Sequence, residues 1–134
     1  MVGTARGISK RFARGFTLLE MMVVMTIIVT IVSIAVPFYT SALVRARESV
    51  LRSNLLTMRS VIDQFTYDKE APPQSLEDLV QEGYLREVPI DPMTNSRETW
   101  ELITETGPTG ESGVFDVRSG SDETSLTGTP YSEW

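Results

Sequence analysis

Residues 14–39 read RGFTLLEMMVVMTIIVTIVSIAVPFY, and this stretch decides the fold. Between residues 16 and 39, Glu20 is the only charged side chain. An apolar run of this length is about what an α-helix needs to cross the roughly 30 Å hydrocarbon core of a bilayer. The sequence therefore predicts a single membrane-spanning helix, and a membrane as the first partner of the chain.

Charge is distributed as unevenly as hydrophobicity. Four basic residues and no acid precede the apolar run: Arg6, Lys10, Arg11 and Arg14. A basic flank of this kind stays on the cytoplasmic side, so we expect the C-terminal part to face away from the cytoplasm. From residue 60 onward, four basic residues stand against sixteen acidic ones, a net charge of −12. This acidic part repels nucleic acid, so we expect no nucleic-acid partner.

Apolar residues continue after the run, but on one face only. Their spacings of seven, four, three, four and three are helical; the residues are Val44, Leu51, Leu55, Met58, Ile62 and Phe65. The pattern predicts one helix from about residue 17 to about residue 67, roughly 75 Å long at about 1.5 Å per residue. We divide the chain into a leader (1–15), a transmembrane and assembly half of the helix (16–43), and a head with the amphipathic half (44–134).

Pro37 lies inside the predicted helix. Proline has no amide hydrogen and crowds the carbonyl four residues earlier, that of Ser33, so it bends or locally opens a helix. The hydroxyl groups of Thr26, Thr30 and Ser33 can bond to carbonyls freed on this segment. Two roles for Pro37 stay open: it sets the curvature of the helix, or it marks a point where the helix stretches during assembly.

The remaining residues predict a small α+β head. The segment Ala71-Pro72-Pro73-Gln74 stops the long helix, and Ser75 with Asp78 is typical of a capping box that starts a short helix. In that helix Leu76, Leu79 and Val80 should face inward, and Gly83 should end it.

Two segments of the head, 99–104 and 113–118, predict antiparallel strands with a loop over 105–112. A two-stranded sheet is marginally stable alone, so we expect it to pack on the long helix. Tyr131 and Trp134 should return the C-terminal end to the sheet.

The motif formed by Arg14-Gly-Phe-Thr-Leu-Leu-Glu20 and the apolar run resembles the processing site of the type IV pilin superfamily, which includes type IV pilins and type II secretion pseudopilins. Pro37 also lies where that family usually carries a proline. The resemblance implies that a prepilin peptidase cuts between Gly15 and Phe16, and that the new amine of Phe16 is N-methylated. A glycine, extended and without a side chain, suits a protease cleft at the membrane surface.

Glu20 is the most informative residue of this motif. A carboxylate inside an apolar span costs about 2.5 kcal/mol or more, so it needs a compensating partner. The free amine of Phe16, with an ordinary pKa of about 7.7–8.0, would be charged and one helical turn away. The resemblance implies a pair between Glu20 and the amine of a neighbouring copy, which draws an incoming subunit into register. The alternative is that Glu20 lies at the headgroup boundary and reaches toward water.

The head is most similar to the major pseudopilin of type II secretion, at Pro73-Gln-Ser-Leu, Gly83-Tyr-Leu, Val88-Pro-Ile-Asp-Pro and Phe115-Asp-Val-Arg-Ser. That resemblance implies calcium in the C-terminal loop, with Ser119 and Asp122 as the first metal ligands. The later acidic cluster of the family's loop is replaced here by the uncharged stretch LTGTPYS, residues 126–132. A calcium-free loop with solvated acids is therefore the alternative, and no other cofactor is required.

These patterns favour a structural filament subunit of a type II secretion pseudopilus; a type IV pilin or competence-type pilin is the alternative. The expected partners are other copies of the chain, minor pseudopilins or pilins, the peptidase and an assembly platform in the bacterial inner membrane. A secreted binding module cut near Ala42 would leave Glu20 unexplained. An anchored enzyme is disfavoured because the sequence has no cysteine or histidine, which removes thiol nucleophiles and the usual neutral base.

Overall fold

The computed structural model describes residues 1–3, 15–107 and 110–134 of the 134-residue chain. The four basic leader residues, and two residues of the predicted loop between the strands, lie outside the described residues. The structure contains helix α1 (Leu18–Lys69), helix α2 (Leu76–Gln81), strands β1 (Glu101–Thr106) and β2 (Ser112–Arg118), and a 3₁₀-helix (Tyr131–Glu133). This order confirms the predicted pilin-like α+β fold with a long N-terminal helix.

The chain forms two compact units, Met1–Tyr39 and Thr40–Trp134. In the first unit every residue from 15 to 39 is exposed, although nearly all of them from residue 18 onward are apolar. Helix α1 contains a segment long and apolar enough to cross a membrane, with none of that segment buried inside the protein. The described residues of the first unit therefore form no core of their own.

The second unit is built on the predicted apolar stripe. Five of its six residues are buried, each at most 8% exposed, and Val44 is half-buried. The other core residues come from α2, the sheet and the C-terminal end: Leu76, Leu79, Trp100, Val114, Val117 and Tyr131. Burial of each large apolar side chain contributes roughly 1.5–3 kcal/mol, so this stripe is the main anchor of the head.

Helix α2 begins and ends where the sequence predicts. The Ser75 hydroxyl accepts a hydrogen bond from the Asp78 amide (3.3 Å), and the Asp78 carboxylate accepts one from the Ser75 amide (3.0 Å). Gly83 has φ +82°, a left-handed conformation that favours glycine after a helix. Leu76 and Leu79 are buried, and Val80 is half-buried.

The two strands pair antiparallel, from Glu101 opposite Arg118 to Thr106 opposite Ser112, with an irregularity between Ile103 and Thr104. The predicted loop over 105–112 is therefore too long, because pairing continues to Thr106 and Ser112. Strand β2 covers the core with Val114 and Val117, whereas β1 is mostly exposed.

The aromatic C-terminal end returns to the head, as predicted. The 3₁₀-helix contacts β2, and the rings of Tyr131 and Trp134 meet edge to face at 5.2 Å. These residues also contact α1, which the sequence did not predict: the guanidinium of Arg52 lies 4.7 Å from the centre of the Trp134 ring.

Candidate processing and assembly site

Residues 15–20 lead from irregular backbone into α1. Gly15, Phe16 and Thr17 precede the helix, which begins at Leu18. A Cβ atom built at Gly15 would meet no described atom within 4 Å, apart from those of the two neighbouring residues. Nothing within the described chain therefore requires glycine at residue 15, so a requirement would have to come from a molecule that binds there.

Thr17 was not among the predicted site residues. Its hydroxyl accepts a hydrogen bond from the Glu20 amide (3.2 Å), and its carbonyl accepts one from the Met21 amide (3.1 Å). Thr17 is thus the N-cap of α1, and Glu20 is the third residue inside the helix. The signal was present in the sequence, because Thr followed three residues later by Glu is the pattern of a capping box.

Glu20 is exposed and lies in the first turn of α1. The unsatisfied amide groups of a helix N-terminus carry a partial positive charge, which stabilises a carboxylate there. The helix itself therefore offsets part of the cost of placing this charge in an apolar segment. In the uncut chain the nitrogen of Phe16 belongs to a peptide bond, so the pair between Glu20 and a free amine stays a prediction.

Three hydroxyl side chains of the apolar segment bond back to carbonyls four residues earlier. Thr26 donates to Met22 (2.8 Å), Thr30 donates to Thr26 (2.8 Å), and Ser33 donates to Val29 (2.7 Å). These bonds satisfy the polar groups within the helix, as a lipid environment requires. The prediction that they bond to carbonyls freed by Pro37 is wrong, because all three carbonyls precede that of Ser33.

Pro37 lies within α1, which continues through it to Lys69. The proline nitrogen has no hydrogen to donate to the Ser33 carbonyl, so one bond of the helical ladder is missing here. The proposed assembly role of Pro37 stays a prediction.

The two residues named as metal ligands have different surroundings. Ser119 is fully buried, and its hydroxyl donates to the buried carboxylate of Asp91 (2.6 Å). Asp122 is exposed. Within the described part of the chain, no three carboxylate side chains lie close enough together to hold a metal ion. Calcium prefers six to eight oxygen ligands, among which hydroxyl and main-chain oxygens also count, so calcium binding at Ser119 and Asp122 stays a prediction.

Two charged residues of α1 hold the C-terminal segment, and neither role was predicted from the sequence. Glu48 accepts hydrogen bonds from the Leu126 amide and the Tyr131 hydroxyl, both at 2.9 Å. Arg59 pairs with Asp116 (2.6 Å) and also donates to the main-chain oxygens of Val117 (3.0 Å) and Trp134 (2.6 Å). Each partner lies more than fifty residues away along the sequence, so no local pattern indicates these contacts.

The Glu48 contact also changes the acidity of Tyr131. Burial and the hydrogen bond to the Glu48 carboxylate together raise the pKa of the Tyr131 hydroxyl to about 12. Both causes disfavour the phenolate, since it would lose hydration and lie beside a second negative charge.

Known proteins resemble this chain both in the N-terminal motif and over most of its length. The family model for the prokaryotic N-terminal methylation motif matches residues 10–36. The chain is 31% identical to type II secretion system core protein G of Escherichia coli, over 77% of this chain and 87% of that protein. It is 30% identical to the protein of the same name from Pseudomonas aeruginosa, over 82% of this chain and 84% of that protein. The comparison with solved structures found no match.

Proposed function

This chain belongs to the type II secretion system core protein G family, and on that premise we propose that it is a structural subunit of a pseudopilus, a filament that assembles from the inner membrane and drives protein secretion. Its role is to polymerise rather than to catalyse. The partners that this role requires are other copies of the chain, minor pseudopilins, a prepilin peptidase and an assembly platform in the membrane.

One observation carries the proposal: the apolar part of α1 is exposed throughout, whereas the apolar stripe of the same helix after residue 50 is buried. An exposed apolar surface of this extent is stable only when something covers it. The bilayer covers it before assembly, and the same segments of neighbouring copies cover it in the filament. In such a filament the apolar part of α1 is buried by other copies, so no second domain is needed to cover it.

The processing motif supplies the step that makes assembly selective. A cut between Gly15 and Phe16 removes the leader and creates an amine at residue 16, which is then methylated. The amine is positively charged at neutral pH. It can pair with Glu20 of a neighbouring copy in the low-dielectric interior, where an unpaired carboxylate is costly.

Topology follows from the charge distribution. The basic leader favours a cytoplasmic N-terminus, and the single span then places the acidic head in the periplasm. Pro37 acts within the span, where a missing backbone bond lets the helix adjust as the copies pack.

Mass spectrometry of the N-terminus tests this proposal. We expect the membrane-extracted protein to start at Phe16, with the mass of one added methyl group. Gly15→Leu should leave an uncut precursor, because its side chain would obstruct the protease cleft. Gly3→Leu is the matched control, since it changes another leader glycine with open space around it, and it should be processed normally.

Two results would contradict the proposal. A mature protein that starts near Leu43 would identify a conventional signal peptide instead. Complete processing of Gly15→Leu would remove Gly15 from the cleavage site.

A further inference from the structure

Several oxygens of the C-terminal segment, residues 119–134, accept hydrogen bonds within the segment's own turns. Its carbonyl groups accept main-chain hydrogen bonds: that of Glu123 from Tyr131 (3.1 Å), that of Ser125 from Gly128 (2.9 Å) and that of Thr129 from Ser125 (2.8 Å). The hydroxyls of Ser125, Thr127 and Thr129 bond to one another at 2.8–3.2 Å. The loop therefore directs these oxygens toward its own donors rather than toward a shared centre.

Ser119 is engaged in the same way. Its single hydroxyl hydrogen goes to Asp91, and its oxygen accepts a bond from the Ser121 amide (3.2 Å). The other oxygen of the Asp91 carboxylate accepts from the Met93 amide (2.8 Å). Both partners are fully buried, so this bond joins the loop before β1 to the start of the C-terminal segment without a metal ion.

The contact with α1 has the opposite polarity from a cation site. A bound cation needs oxygens that point toward it, but this segment directs an amide hydrogen at residue 126 and a hydroxyl hydrogen at residue 131 toward one carboxylate oxygen of Glu48. A carboxylate that accepts two hydrogen bonds stabilises both donors at once. Glu48 is therefore the group around which this segment is arranged.

We infer that the C-terminal segment folds without a metal ion, and that Glu48 secures it to α1 in place of one. Asp122 and Glu123 are then solvated turn residues. This inference concerns the folding of the head, and it does not depend on the filament role.

Thermal unfolding of the mature protein in detergent tests the inference. Both tryptophans, Trp100 and Trp134, lie in the Thr40–Trp134 unit, so their fluorescence reports on the head. We expect the same unfolding midpoint in EGTA and in millimolar calcium chloride. Glu48→Ala should lower the midpoint by on the order of 5–10 °C in both conditions, since it leaves two donors without an acceptor.

Hydrogen exchange identifies the cause of that shift. In Glu48→Ala the amide of Leu126 should exchange at least about tenfold faster, because it loses its acceptor. Glu48→Gln keeps an acceptor oxygen and should show a smaller loss in both measurements. Asp122→Asn is the control at the predicted metal position, and it should behave as the wild type with and without calcium.

A rise in the wild-type midpoint with calcium would overturn the inference, and its loss in Asp122→Asn would locate the metal in this segment. Unchanged exchange at Leu126 in Glu48→Ala would overturn the role of Glu48. If Glu48→Ala does not fold, Glu48→Gln still tests the role of Glu48. Hydrogen exchange of the wild-type segment with and without calcium then still tests for a metal ion.

Discussion

Helix α1 passes through both compact units, and its apolar residues meet different surroundings in each. In the first unit Ile31 is 60% exposed, whereas in the second unit Met58 is fully buried in the core that also contains Val117 and Tyr131. The chemistry of the side chains is similar; the difference is where their covering comes from. For the later part it is supplied by the same chain. For the earlier part no described residue supplies it, and the proposed function assigns it to lipid or to other copies.

Because of this difference, we expect the two parts to affect different equilibria: the later part affects folding, and the earlier part affects membrane insertion or assembly. Apolar burial after residue 50 contributes to the stability of one molecule, since its partners fold with it. The apolar surface before residue 40 is exposed, so we expect it to contribute little to the folding of the head and to be buried only in a membrane or an assembly. Substitutions in the two parts should therefore separate folding from polymerisation.

The largest effect is expected at Glu20, the only charged residue of the apolar part. Glu20→Ala should still insert into the membrane, because it removes a group that costs about 2.5 kcal/mol or more there. Filament yield should fall more than about tenfold, the factor that 1.4 kcal/mol of lost pairing produces. Sheared filaments can be counted by electron microscopy. Thr26→Ala, which removes a neutral hydroxyl from the same helix, is the control, and normal filaments from Glu20→Ala would refute the charge-pair mechanism.

Two side-chain substitutions test the difference between the two parts of α1 most directly. Met58→Ala should lower the free energy of unfolding of the head by about 2–5 kcal/mol, since it leaves a cavity in a packed core. Ile31→Ala should change it by less than about 0.5 kcal/mol, as expected for an exposed site. Denaturant unfolding in detergent, followed by tryptophan fluorescence, measures both. Equal losses from the two variants would mean that the earlier part of α1 does stabilise the head.

A smaller effect is expected for Arg59, one of the arginines of α1 in the second unit. Arg59→Ala should cost about 1–2 kcal/mol of unfolding free energy, because a partly exposed side chain that joins Asp116 to two main-chain oxygens is lost. Arg45→Ala, on the same helix and exposed, should change it by less than about 0.5 kcal/mol. The same denaturant measurement applies. A comparable loss from Arg45→Ala would indicate a general charge effect instead of the specific contacts.

The last effect appears only at alkaline pH. Because the folded-state pKa of Tyr131 is raised from 10.0 to about 12, folding favours the protonated hydroxyl. The stabilisation is fully present below pH 10 and is lost as the pH rises from 10 to 12. Head stability measured across that range should fall more steeply in the wild type than in Tyr131→Phe, which cannot ionise. Parallel curves would show that Tyr131 does not carry this dependence.

Much of the fold could be predicted because its signals are local. The apolar run, the stripe of Leu51 to Phe65, the capping box of Ser75 and the left-handed Gly83 each depend on residues within a few turns of one another. The strand ends were less certain, since Thr106 and Ser112 join the sheet through pairing rather than through their own preferences. At the candidate site the Thr17 cap could have been predicted from the local sequence but was not. The pairing of Ser119 with Asp91 spans 28 residues, so no local pattern could predict it.

The sequence by itself determined that one helix is apolar all round before residue 40 and on one face afterwards, and that residues 10–36 match the prokaryotic N-terminal methylation motif. These properties depend only on the order of neighbouring residues. The tertiary structure alone decided that Glu48 holds the C-terminal segment and that Arg59 reaches Trp134, because those contacts join residues 78 and 75 positions apart. Hydrogen bonds across such separations depend on how the core brings the elements together.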